Sequence, residues 1–216
     1  MTAFPLSPTR NLVPDQDFNQ MAPEEQVLRT ARSLEENGFQ VFLAETADQA
    51  RDYVLNRIPS GAVVYNPPSR TLEQIGLAVD IETSTRFKPL RARINSMDRI
   101  KQRGEIRQLI SSPDVIVGSV HAITEKGEVL IASASGSQLG PEVFGAGTVI
   151  CVVGTQKLVP TLDEGFRRIR EYCYPLEDDR ARQVYGQPSA IRKILVVNAE
   201  LPGRITIVLV KQVLGF

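Results

Sequence analysis

Histidine and cysteine are the scarcest chemistry-bearing residues in this chain. His121 is the single histidine, and Cys151 and Cys173 are the only two cysteines in 216 residues. Neither cysteine sits in a CxxC, so a disulfide framework, a structural zinc site or an iron–sulfur cluster held by this chain alone is not expected. Cys151 lies in the apolar run Thr148-Val149-Ile150-Cys151-Val152-Val153 and reads as a buried, inert thiol. No stretch approaches the roughly 18–20 apolar residues that span a bilayer. The first residues lack a charged flank followed by an apolar stretch, so no signal peptide is expected and a cytoplasmic location follows. An excess of one charge sign is also missing. Twenty-five basic residues balance 25 acidic ones, which leaves no global field to draw nucleic acid or an anionic membrane. No GxxxxGK[ST] occurs, so the chain has no Walker loop.

What is present is the material of one α/β domain. Residues 1–22 carry Pro5, Pro8 and Pro14 among polar residues and read as a loose N-terminal arm. Residues 23–216 read as a single domain. Pro23, Glu24 and Glu25 open a helix that Asn37-Gly38 ends. Residues 39–44 form a strand, and Thr46 with Gln49 caps a helix running to about Arg57. A strand follows at 61–65. Thr71 with Gln74 predicts another capped helix, with a short strand at 79–83 and a helix over 97–110. Strands are predicted at 114–118, 128–132, 148–153, 193–198 and 204–210. Helices are predicted near 137–144, from Thr161 to about Tyr172, and at 177–185. Helices alternating with nearly continuous apolar strands predict a mostly parallel sheet covered by helices on both faces.

In such sheets ligands bind beyond the carboxyl ends of the strands. Four segments answer to that position or to that chemistry. After the 61–65 strand, Ser69 and Thr71 offer hydroxyls and Arg70 a cation beside a helix start, although a plain capped helix with a solvated arginine explains them as well. After the 114–118 strand comes the loop Gly118-Ser119-Val120-His121-Ala122-Ile123-Thr124-Glu125-Lys126-Gly127. Glu125 is a candidate base or nucleophile there, His121 a weaker candidate, and Ser119 and Thr124 candidate ligand-positioning groups. The same residues also read as a charged tight turn beside a satisfied histidine. Ser135, Gly136 and Ser137 follow the next strand and permit close backbone approach to a ligand. Finally, eight cations between Arg86 and Arg107 face only Asp98 and Glu105. A phosphate or carboxylate clamp is one reading. A solvated helix face is the plainer one for most of them.

Three runs together resemble the LUD (lactate utilisation) domain family. They are Asp114 through Val129, Ser135-Gly136-Ser137, and Val149 through Gly165 with its Gly154-Thr155-Gln156-Lys157-Leu158-Val159-Pro160 core. The segment Ser69 through Gly76 is similar to that family's earlier serine- and threonine-containing loop. The resemblance implies the three-layer fold of the ribose-5-phosphate isomerase, glucosamine-phosphate deaminase and CoA-transferase superfamily. It also implies a lactate-utilisation-type accessory protein that binds a small carboxylate- or phosphate-bearing metabolite, alongside iron–sulfur oxidoreductase subunits and as a homo-oligomer, with no cofactor of its own. On this reading Ser69, Arg70, Thr71, Gly118, Ser119, Thr124, Gly127, Ser135, Gly136 and Ser137 bind the ligand. Thr124-Glu125-Lys126-Gly127 also resembles a CoA-transferase signature whose glutamate is the nucleophile. An enzyme using Glu125, either a CoA transferase or a sugar-phosphate isomerase, therefore stands as the alternative, and a non-catalytic oxidoreductase subunit as a third.

Overall fold

The computed structural model describes residues 12–216. Its centre is a six-stranded sheet in the order β1-β10-β7-β4-β2-β3, with every neighbouring pair parallel. The strands are β1 (Gln40–Ala44), β2 (Val63–Tyr65), β3 (Lys88–Pro89), β4 (Val115–Gly118), β7 (Thr148–Gly154) and β10 (Ile205–Val210). All residues of β4 and β10 are buried, as continuous apolar strands in a two-sided sheet must be. The period of two sorts their side chains between two cores. Val149, Cys151 and Val153 of β7 enter one, and Ile150 and Val152 enter the other.

Helices α2 (Ala47–Arg57), α3 (Arg70–Gln74) and α4 (Leu77–Thr83) cover one face through Ala50, Val54, Leu72, Leu77 and Ile81. On the other face lie α1 (Glu24–Glu36) and α5 (Leu90–Asn95), with a second sheet beside them. That sheet contains β5 (Ala122–Thr124), β6 (Val129–Ser133), β8 (Leu158–Val159) and β9 (Lys193–Val197) in the order β8-β5-β6-β9. β6 is antiparallel to both β5 and β9. Helix α7 (Leu162–Arg168) closes its outer side at such short range that a Cβ on Gly165 would stand 2.9 Å from Leu130 Cδ2. The chain continues from α7 through a π-helical turn, Ile169–Cys173, into α8 (Tyr174–Tyr185).

The α/β class and the parallel sheet covered on both faces agree with the expectation from sequence. Several local expectations do not survive. Residues 79–83 are helical within α4, because Leu77, Ala78 and Ile81 are buried at helical spacing. The single helix predicted over 97–110 is a break followed by α6 (Arg103–Ser111). Asp98 makes the break by accepting the Ile100 and Lys101 N–H groups at 2.9 and 3.0 Å. The cap of α3 is Ser69, whose Oγ accepts from Leu72 N–H at 3.4 Å, and Thr71 turns into the interior. Strand β5 was not foreseen, and 128–132 pairs in the second sheet rather than the parallel one. Of the segment read as a loose arm, residues 1–11 lie outside the described residues. Farther on, Asp15 N–H donates to the Glu171 carbonyl at 2.9 Å, the Tyr172 hydroxyl donates to Asn19 Oδ1 at 2.7 Å, and Phe18 packs against the α7 core.

Gly38 links α1 to β1 with φ of 87°, and a Cβ there would stand 2.0 Å from the Glu200 carbonyl oxygen. Gly38→Ala should therefore cost more than about 2 kcal/mol, a fall in melting temperature on the order of 5 °C. Gly61→Ala, with similar φ of 79° but open space around the Cβ, should cost less. Equal losses in the two variants would mean that backbone strain alone, and not the clash, sets the cost at Gly38.

Candidate functional site

A cleft of about 620 Å³ opens at the carboxyl ends of the parallel strands. That volume is in the range of small-molecule sites. Tyr65 and the Pro67–Thr71 loop come from the end of β2, Ser119, Val120 and His121 from the end of β4, and Lys157 from beyond β7. Ser133, Ser135 and Ser137 follow the end of β6, and Arg99, Arg103 and Arg107 stand on the α6 side.

Lys157 is the most constrained of these groups. Its side chain is 1 % exposed, and no carboxylate faces it among the described residues. The Nζ donates to Thr71 Oγ1 at 3.0 Å, Ser119 Oγ at 3.1 Å and the Val120 carbonyl at 3.1 Å. Burial, with the Arg168 guanidinium nearby, pulls its pKa down to about 7. Arg168 is itself fully buried. It donates to the His121 carbonyl and to Cys173 Sγ, while its Nε and Nη2 have no partner. Lys157 at the inner end of the cleft thus has a second buried cation, Arg168, close behind it, and neither makes an ion pair among the described residues.

His121 lies close to both, since Lys157 bonds the Val120 carbonyl and Arg168 the His121 carbonyl itself. Its Nδ1 accepts the Ala132 N–H at 3.1 Å, which places the imidazole proton on Nε2. Burial and the two cations hold its pKa near 3, so the ring is neutral at physiological pH.

An acid also lines the cleft. Glu142 stands in a π-helical turn, Pro141–Gly145, and is 2 % exposed. Its Oε2 has no hydrogen-bond partner. Burial raises its pKa to about 8, so at neutral pH it is mostly a carboxylic acid and a potential proton donor. Its carboxyl lies against Gly118, where a Cβ would stand 3.5 Å from Oε1. Lys157 bonds the next residue, Ser119, so the acid and the amine flank consecutive residues at the tip of β4. Burial also pushes the neighbouring Tyr65 phenol up, against the pull of Ser137 and Arg91.

The outer wall is basic. Arg70 is paired with Glu73 at 2.8 Å and Arg91 with Glu82 at 2.9 Å. Arg99, Arg103 and Arg107 make no ion pair among the described residues; Arg99 bonds the Asn95 amide oxygen at 3.2 Å and Arg107 the Arg103 carbonyl at 3.4 Å. Half of the eight-cation stretch lines the cleft: Arg91 from α5, Arg99 from the break around Asp98, and Arg103 and Arg107 from α6.

Ser69, Arg70, Thr71, Ser119, His121, Ser135 and Ser137 therefore come together. Gly118 lies at the strand tip behind the cleft, and Gly136 packs against Lys193. Thr124, Glu125 and Gly127 do not join them. They form the β5–β6 turn, which packs on α1. The Thr124 hydroxyl bonds Glu128, a Cβ on Gly127 would meet Asn37 at 2.7 Å, and Glu125 pairs with Arg29 of α1 at 3.6 Å. The unforeseen strand β5 is the reason, since its three residues carry the turn away from the strand tip. Lys157 has a sequence signal that was available: it follows an apolar strand, as the other cleft loops do. Glu142 has none, for an acid between two glycine-bounded segments reads as surface. Among the described residues no group of three or more His, Cys, Asp or Glu side chains could hold a metal ion, and no helix is long and apolar enough to cross a membrane.

The fold and site define an α/β protein with an arginine- and lysine-lined cleft at the carboxyl ends of its parallel strands. The family model for the LUD domain matches residues 27–210, and the chain belongs to that lactate-utilisation-related family. Among solved structures, a DUF162 family protein from Deinococcus radiodurans is similar in fold, with a TM-score of 0.54 at 13% identity over 88% of this chain and 99% of that one. No curated protein matches.

Glu142 generates a pH test. Between about 4.5, its ordinary value, and about 8, the folded chain holds a proton that the unfolded chain has released. The Glu142 contribution to stability should therefore fall as pH rises through that window, by at most about 1.4 kcal/mol per pH unit. The depressed His121 and Lys157 contribute in the opposite sense below about 6.5 and above about 7, so the readout is the difference between wild type and variant. Chemical denaturation of Glu142→Gln over the same pH range should lack that fall. An unchanged slope would show that Glu142 is ionised in the folded protein.

Proposed function

We propose that the cleft binds a small metabolite bearing a carboxylate or phosphate, and that the protein serves organic-acid metabolism as a lactate-utilisation-type accessory protein. The carrying observation is the convergence of Lys157, Arg99, Arg103 and Arg107, none of them in an ion pair, on one cleft lined by hydroxyls. The bound anion replaces the missing carboxylates. Lys157 donates to Ser119 Oγ and so turns the Ser119 proton outward, toward the ligand. Ser69, Arg70, Thr71, Ser135 and Ser137 complete the polar lining. The chain's two cysteines are buried and belong to no group of three or more His, Cys, Asp or Glu side chains among the described residues that could hold a metal ion, so in a redox assembly the iron–sulfur chemistry would belong to partner subunits.

The enzymatic alternative keeps one observation in its favour, the buried acid Glu142. It does not draw on Glu125, which faces Arg29 outside the cleft.

Thermal shift with L-lactate, pyruvate, D-ribose 5-phosphate and acetyl-CoA tests the reading. A ligand at a hundred times its Kd should stabilise the fold by about 2.7 kcal/mol. Arg103→Ala and Arg107→Ala should each weaken the best anion about tenfold, while Glu125→Gln leaves it within about twofold. Weakening by Glu125→Gln alone would move the site to the β5–β6 turn.

A further inference from the structure

We propose that Lys157 captures the carbonyl carbon of an anionic aldehyde or ketone as a Schiff base in this cleft. The proposal rests on the anion-cleft reading and adds covalent chemistry to it.

Four observations converge. The first is position. Lys157 lines the cleft from its inner end, while its arginine wall would hold the carboxylate or phosphate of the same molecule. The second is the partner set. An ammonium has three N–H donors and a neutral amine two plus a lone pair. Of the three partners, the Val120 carbonyl and the Thr71 hydroxyl accept, the latter because it donates its own proton to the Leu214 carbonyl at 3.3 Å, and Ser119 is the hydroxyl that can turn to donate. The nest therefore fits the neutral amine as well as the cation, and it contains no carboxylate that would hold the proton on. Ser119 is the half-buried partner at the cleft surface, the one placed to yield as a carbonyl carbon approaches. The third is the neighbouring Arg168, buried and with two unpartnered nitrogens, a second cation of the kind that activates amine nucleophiles. The fourth is Glu142, an acid with a free oxygen on the other side of the Gly118–Ser119 tip.

The step balances. The Nζ lone pair attacks the carbonyl carbon and forms a carbinolamine. One Nζ proton passes to the carbonyl oxygen to make its hydroxyl, Glu142 donates its own proton so that the hydroxyl leaves as water, and the Glu142 carboxylate takes back the single proton left on the iminium nitrogen to give the imine. Hydrolysis reverses the sequence and restores both groups. No oxidant or reductant enters.

The groups that face Lys157 set its titration. Arg168 disfavours the ammonium, the thiols of Cys151 and Cys173 mildly favour it, and the neutral His121 adds no charge. The amine form is thus available near neutrality, well below the range of a surface lysine.

The test is reductive trapping of the intact folded chain. Pyruvate or D-ribose 5-phosphate is added at pH 6, 7, 8 and 9 with sodium cyanoborohydride, and adducts are located by peptide mass spectrometry. Binding of each probe is followed separately by thermal shift. We expect label on the Lys157 peptide at least tenfold above Lys88, Lys101, Lys126, Lys193 and Lys211. Its yield should rise through about pH 7, and acetone, an uncharged carbonyl, should give little. Label from either probe supports the proposal, and which probe labels names the anionic group. Lys157→Arg keeps the charge and should bind the anion but take no label. Binding without label at Lys157, label spread over the surface lysines as in the urea-unfolded chain, or label persisting in Lys157→Arg overturns the Schiff base and leaves the anion cleft standing. Neither binding nor label for any anion overturns both.

Discussion

The ammonium of Lys157, buried without a carboxylate, is the interaction on which the rest of the site depends. Its three hydrogen bonds tie together Thr71 of α3, Ser119 and Val120 beyond β4, and the segment beyond β7. Those are the ends of three different strand connections, so one side chain sets the distances across the inner cleft. Burying a lysine charge costs several kcal/mol unless it is paired. Here neutral acceptors offset only part of that cost, and Arg168 adds to it. Strongly perturbed groups of this kind cluster at functional sites.

The same low-dielectric interior sorts the other groups. Lys157 is pulled toward its neutral form, Glu142 toward its protonated form, and His121 stays uncharged. Burial penalises each ionised state, so the inner cleft gathers groups that exchange protons near neutral pH. The outer wall behaves differently. Arg99, Arg103 and Arg107 are exposed guanidinium groups, a type suited to attract and orient an anion. The cleft therefore has an exposed basic wall and, deeper in, the buried pair Lys157 and Glu142.

Much of the architecture was legible because apolar strands and capped helices have local signatures. The runs at 114–118, 148–153 and 204–210 became β4, β7 and β10, within a residue or so. The rule that ligands gather after parallel strands led to Ser69, Thr71, Ser119 and His121. It failed for Glu125, because a three-residue strand, too short to leave a periodic signal, carries that residue to α1. It also passed over Glu142, whose burial comes from packing against Gly118 rather than from anything in its neighbours along the chain.

The sequence by itself determined the class of fold, the apolar strands at its centre, the loops that meet at one edge and the membership of a family. Those follow from periodicity, turn chemistry and motif order, all of which act over a few residues. Only the tertiary structure decided that two antiparallel pairings split off a second sheet, that the arginines of α6 line the cleft, and that Lys157 and Glu142 are buried at that cleft with Arg168 close to the lysine. Pairing and burial are contacts between residues far apart in the chain, and a group's protonation follows from its burial. The chemistry of this cleft is therefore a property of the folded surroundings of its residues and not of their types.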